Sequence, residues 1–152
     1  MTYADNYNLR LATATANDVA SAVDGLLVTY GQETHSTLIN TTSTSFVDYT
    51  GSGITVSVAS GEIVEINAWI VVSGSGVVRA SLKVSEDGSD LSSQADYVFH
   101  RSDTTGFDAT LNYTVISAPS AGSRQYKIRW KTSGGTAYSG RGRMTVKVFQ
   151  NT

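Results

Sequence analysis

From Leu38 onward the chain alternates apolar and polar residues with a period of two, the spacing that sends successive side chains to opposite faces of a strand. Ile54, Val56 and Val58 share one parity, and Val78, Ala80, Leu82 and Val84 share another run against Arg79, Ser81 and Lys83. Further on, Phe107, Ala109, Leu111, Tyr113 and Val115 oppose Asp108, Thr110, Asn112 and Thr114. Tyr126, Ile128 and Trp130 oppose Lys127, Arg129 and Lys131; Met144, Val146 and Val148 oppose Arg141, Arg143, Thr145 and Lys147. Such alternation predicts antiparallel strands with one dry and one wet face. The turn-forming clusters TGSG, SGSG, EDGSD, APSAGS and TSGGTAYSGRG separate them. The expected fold is mainly β, an antiparallel jelly roll or β-sandwich of about eight strands.

Two stretches depart from this pattern. In EIVEINAWIVV, residues 62–72, one parity carries Val64, Ile66, Ala68, Ile70 and Val72, yet the other holds Ile63, Trp69 and Val71 beside Glu65 and Asn67. A strand apolar on both sides wants cover on both, from a helix of its own chain, from another subunit, or from the second layer of the same jelly roll. Residues 17–31, NDVASAVDGLLVTYG, read as one amphipathic α-helix. Asn17 caps it, Asp18 suits its positive end, Gly31 ends it, and Val19, Val23, Leu26, Leu27 and Tyr30 recur at helical spacing. A helix this short is marginal alone and has to pack on something. Before it, Tyr3, Tyr7, Leu9 and Leu11 share a parity opposite Asn6, Asn8 and Arg10, as in an arm that adds to a neighbouring sheet. For residues 1–6 a mobile polar tail reads equally well. The expected organisation is an arm and helix over residues 1–35 and a jelly-roll domain over residues 36–152.

Charge adds a second feature. Residues 109–152 carry seven cations and no carboxylate, a charge of +7, whereas residues 1–108 carry four cations and thirteen carboxylates, −9. If the last two strands pair, Lys127, Arg129, Lys131, Arg141, Arg143 and Lys147 form one basic patch. A nucleic-acid groove would interleave that patch with aromatics for base stacking, and only Phe149 shares the cationic parity. The net charge of −2 is also opposite to the usual basic footprint, so nucleic acid is not an expected partner. No apolar stretch approaches the ~20 residues that span a bilayer, and the start MTYADNYNLR lacks the pattern of a secretory leader. A soluble protein made in the cytoplasm, without a membrane partner, is the expectation. The absence of cysteine removes thiolate chemistry and disulfides, leaving packing or self-association to supply stability.

Candidate chemistry is sparse. His100, Ser102 and Asp103 have the residue types of a hydrolytic triad, but along one strand they point to alternating faces and no G-x-S-x-G elbow accompanies them. His35 and His100 lack the spacing of a zinc pair. Glu86, Asp87, Asp90 and Asp96 cluster around a hairpin, but not in the order of a calcium loop, and read as an acidic turn. The G-x-G steps at Gly51, Gly74 and Gly140 are turns, without the helix of a dinucleotide site. Trp69, Tyr97 and Tyr138 have the chemistry of a sugar platform and equally that of a packed interface. No enzyme activity, metal or cofactor is expected.

Taken in order, ATANDVASAVDGL, then STSFVDYTGSGITVSVASGEIVEINAWIVVSGS, then YKIRWKTSGGTAYSGRGRMTVKVFQ, the chain resembles small virion proteins of tailed bacteriophages. In that group an N-terminal arm and helix precede a jelly roll that assembles as a trimer, as in capsid decoration (cement) proteins and head or tail fibres. The resemblance implies a non-enzymatic homotrimer on the virion's capsid surface, assembled in the host cytoplasm, whose partners are its own copies and the major capsid protein or another virion protein. A receptor- or glycan-binding domain of a fibre is the alternative. The subunit or capsid contacts would then fall on Tyr3, Tyr7, Leu9, Leu11, Val19, Val23, Leu26, Tyr30, Trp69 and the six cations of residues 127–147. Complementary acidic and basic regions would make the association salt-sensitive.

Overall fold

Period-two alternation becomes two facing sheets in the computed structural model, which describes residues 27–49, 53–75, 79–91, 97–100 and 109–150. The strands are β1 (Leu27–His35), β2 (Ile39–Thr41), β3 (Val47–Asp48), β4 (Ile54–Val58), β5 (Ile63–Ser75), β6 (Arg79–Glu86), β7 (Ser89–Asp90), β8 (Tyr97–His100), β9 (Ala109–Ser117), β10 (Gly122–Thr132) and β11 (Thr136–Phe149). Sheet one has the order β1-β11-β5-β9, with β2 also on β11. Sheet two has the order β3-β10-β6-β7, with β4 also on β10 and β8 also on β6. The pairings are antiparallel. The expected eight strands become eleven among the described residues because short pairings at the sheet margins, such as β3 and β7, carry little alternation to read.

The inward parities meet between the sheets. Val64, Ile66, Ile70 and Val72 of β5 and Met144, Val146 and Val148 of β11 face Leu82 and Val84 of β6 and Tyr126, Ile128 and Trp130 of β10, all buried. Burying each large apolar side chain contributes roughly 1.5–3 kcal/mol. Tyr49 ties the layers together. Its backbone N–H donates to Ile128 O at 2.8 Å, and its ring stands edge-on to Trp130 at 5.4 Å and to His35 at 4.9 Å. Its hydroxyl lies 2.8 Å from Ser139 Oγ on β11. Gly142 makes room for it, because a Cβ there would sit 3.0 Å from the tyrosine oxygen and 3.1 Å from Ile70 Cγ2.

Two expectations are corrected. The helix over residues 17–31 does not hold where it can be seen: Leu27 to Gly31 belong to β1, hydrogen-bonded to β11, and no helix occurs among the described residues. Residues 17–26, including Val19, Val23 and Leu26, lie outside the described residues, as do Tyr3, Tyr7, Leu9 and Leu11 of the arm. The physical reason is that β1 inverts the usual pattern. Thr29, Gly31, Glu33 and His35 turn toward the sandwich, while Leu27, Val28 and Tyr30 are exposed. Its apolar residues therefore follow no strand-like inward period, and their spacing mimics a helix. The second correction concerns the basic patch. The turn after Thr132 carries the chain from one sheet to the other, so β10 and β11 do not pair and their cations lie on opposite outer faces.

Candidate functional site

On the outer face of sheet two, the cations of β10 meet carboxylates from earlier in the chain. Lys127 Nζ is 2.9 Å from Asp48 Oδ2 on β3, and Arg129 Nη1 donates to Asp90 Oδ1 on β7 at 2.6 Å. Arg129 Nη2 also donates to Phe46 O at 2.5 Å, and Lys83 Nζ approaches Asp90 at 3.9 Å. Lys83 and Lys131 hold their ammonium groups 4.7 and 4.5 Å from the Phe46 ring centre, a cation–π arrangement on both counts. At the neighbouring hairpin, Asp87 and Gly88 take positive φ values of 49° and 84°, as a two-residue primed turn requires. The Asp87 carboxylate accepts from the Gln125 N–H and from Arg124, both at 2.8 Å, and these bonds hold its carboxyl below the usual range.

The outer face of sheet one is a set of cross-strand rows. Register places Leu27 beside Phe149 beside Ile63, then Tyr30 beside Lys147 beside Glu65 beside Ile116. Lys147 Nζ is 3.1 Å from Glu65 Oε1, and this bond is the main cause holding the Glu65 carboxyl below its ordinary value, with partial burial opposing. Next come Gln32, Thr145, Asn67 and Thr114, with Thr114 Oγ1 donating to Asn67 Oδ1 at 2.7 Å. Thr34, Arg143, Trp69 and Asn112 follow, Arg143 donating to Gln32. A bulge between Ser139 and Arg141 then shifts the register of β11 against β5.

The structure thus separates the predicted interface residues. Lys127, Arg129 and Lys131 lie on sheet two; Tyr30, Trp69, Arg141, Arg143 and Lys147 lie on sheet one. The two-sided strand is β5, its inner side covered by sheet two while Ile63, Trp69 and Val71 stay half-buried on the outer side. Glu86, Asp87 and Asp90 of the acidic hairpin are drawn apart. Glu86 accepts from Ser117 Oγ and the Tyr126 hydroxyl at 3.1 and 3.2 Å, while the other two take arginines. Burial, aided by Glu86, pushes the Tyr126 hydroxyl far above the usual tyrosine range. Among the described residues no group of three or more His, Asp or Glu side chains converges as metal ligands would. His35 packs against Tyr49 with its Nε2 enclosed, a structural placement. The sequence reading passed over the exposed Leu38, Val47 and Ile116. For Ile116 the signal was present: it breaks the polar parity of Thr110, Asn112 and Thr114.

No protein-family model matches the chain, and no curated protein matches it. Solved structures align with it at low identity and with TM-scores below 0.5. The VP2 subviral particle of infectious bursal disease virus aligns over 80% of this chain and 33% of that one, at 12% identity and a TM-score of 0.48. The chain therefore spans about a third of that protein. Eiger TNF from S. frugiperda aligns over 84% of this chain and 96% of its own, at 10% identity and TM-score 0.43. The globular domain of zebrafish complement 1qA aligns over 81% and 97%, at 10% identity and TM-score 0.44.

Proposed function

We propose that the protein is a non-enzymatic structural component of a bacteriophage virion, a homotrimeric decoration protein that binds the capsid lattice and stabilises it. The observation that carries this reading is the inverted edge strand. Leu27, Val28 and Tyr30 on β1 are 40%, 46% and 50% exposed, and Ile116 on β9, at the far side of the same face, is 65% exposed. With the half-buried Ile63 and Phe149 they flank the Lys147–Glu65 pair, forming an apolar end to the outer face of sheet one. Exposed apolar patches of this kind point to a protein contact. A second and third copy of the chain supply that cover at about 25 cal/mol per Å² of apolar surface removed from water.

Charge has a smaller part in this contact than the sequence suggested. Lys127, Arg129 and Lys147 are matched inside their own chain, whereas Lys131, Arg141 and Arg143 make no ion pair with a carboxylate among the described residues. Self-association then rests on apolar burial and depends weakly on salt, and Lys131 and Arg143 are left for an acidic lattice. Light scattering at low and high salt tests the trimer. A mass about three times the 16.1 kDa chain is expected at both, and a Tyr30→Asp, Ile116→Asp double variant should run as a monomer. A wild-type monomer at every salt concentration refutes the trimer. Deleting residues 1–16 should abolish occupancy of capsids while leaving the β domain folded, and unchanged occupancy would sink the role of the arm.

A further inference from the structure

Far from the apolar end, the bulge in β11 opens a groove of about 300 Å³ lined by Leu38, Val71, Ser73, Gly140 and Arg141. We propose that this groove binds a carboxylate-bearing saccharide, with Arg141 receiving the carboxylate. Bulges re-aim side chains, and this one breaks the register of β11 against β5 at Arg141, which is exposed. Arg141 makes no ion pair with a carboxylate among the described residues, unlike Arg124, Arg129 and Lys147. A guanidinium free in this way offers its planar fork to an incoming carboxylate.

The rest of the lining suits a sugar ring. Gly140 leaves the floor without a side chain, and a Cβ built there would meet only Leu38 Cδ1, at 3.8 Å. Leu38, 69% exposed, and Val71 supply apolar walls for the C–H face of a pyranose. Ser73 supplies a hydroxyl for the ring's polar edge. Leu38 and Val71 thus stand beside polar groups in a mixed lining, and the groove matches the lower end of the size range of small-ligand sites. The patch around Lys147 lies at the other end of the face, so this inference does not rest on the trimer or on the virion reading.

The test is a titration of isotope-labelled full-length protein by NMR with D-glucuronate and with N-acetylneuraminate, against D-glucose and acetate at matched ionic strength. Saturable shifts of the Ser73, Gly140 and Arg141 amides are expected with at least one acidic sugar. Glucose and acetate should bind about tenfold more weakly or worse, the loss expected when a charge-assisted hydrogen bond or the ring contact is missing. Arg141→Gln should weaken the acidic sugar by a similar factor, and Leu38→Ala severalfold. Both positions are exposed, so each variant should keep the wild-type unfolding midpoint, which checks that the loss is local. Equal binding of glucose or acetate, an undiminished response in Arg141→Gln, or no saturable shift with either acidic sugar overturns the proposal.

Discussion

A methyl group added at Gly31 has no room. Built on the β1 backbone, it overlaps Ile54 Cγ2 on β4, with Val56 Cγ1 at 3.8 Å behind it. Cγ2 is bonded directly to Cβ of a β-branched residue, so only a χ1 change from its preferred rotamer or a backbone shift relieves the overlap. Overpacking of this kind costs typically 1–3 kcal/mol, offset by about 0.4–1 kcal/mol from the stiffer unfolded chain, so Gly31→Ala should lose roughly 1–2 kcal/mol net. Ile54→Ala alone should lose about 2–5 kcal/mol. The double variant has space for the new methyl and should fall short of the additive loss by about 1–3 kcal/mol. Urea unfolding at one fixed protein concentration, followed by the fluorescence of buried Trp130, measures all three. Additivity within about 0.5 kcal/mol would refute the docking of β1 on β4. A helix-terminating Gly31 would give that result, since its cost would be conformational and blind to Ile54.

Ionisation gives two further expectations. Burial raises the hydroxyls of Tyr49 and Tyr126 above the ordinary value of 10.0, so both keep their protons when the unfolded chain would lose them. Their contribution to stability is complete below pH 10 and is lost as pH rises through the folded-state values; an alkaline absorbance titration should find at least two of the eight tyrosines ionising only with unfolding. Ionisation of all eight in the folded protein would contradict the buried placement. Glu65 has the opposite sign. Its carboxyl is held below the ordinary 4.5, so its contribution is present above that pH and lost as pH falls through the folded value, and Glu65→Gln should flatten the acid limb of stability against pH.

Where one side of a strand is dry and the other wet, the fold was legible. Ile54 to Val58, Leu111 to Val115, Tyr126 to Trp130 and Met144 to Val148 all buried the parity their sequence announced. The Asp87–Gly88 turn was equally plain. Strand β1 was not, because an edge strand that turns threonine, glycine, glutamate and histidine inward and leucine, valine and tyrosine outward gives no inward apolar period. The pairing of strands was out of reach for another reason. Adjacency in sequence suggested that β10 and β11 share a sheet, whereas a sandwich sends them to opposite layers through the turn at Gly135. The Arg141 groove depends on a one-residue register shift that the sequence advertises only as Gly140 and Gly142 around an arginine.

Part of the charge asymmetry of the chain is matched through that topology. β10 and β11 are interior strands, each bordered on both sides by strands from earlier in the chain, and those earlier strands and turns hold Asp48, Glu65, Asp87 and Asp90. Part of the −9 to +7 polarity along the sequence thereby becomes local pairing across strands, through Arg124, Lys127, Arg129 and Lys147. Asp48 and Asp90 together serve Lys83, Lys127 and Arg129. With side chains 53% and 28% exposed, each pair is worth about 0.2–1 kcal/mol. Replacing both aspartates by asparagine leaves Lys83, Lys127, Arg129 and Lys131 on one face without a carboxylate of that network. The double variant should lose about 1–2 kcal/mol at low salt and much less near 1 M salt, where screening acts within about 3 Å. Its mass in solution should equal that of the wild type, because the network closes within one chain. A change in mass with unchanged unfolding would place these carboxylates between subunits and reverse the assignment.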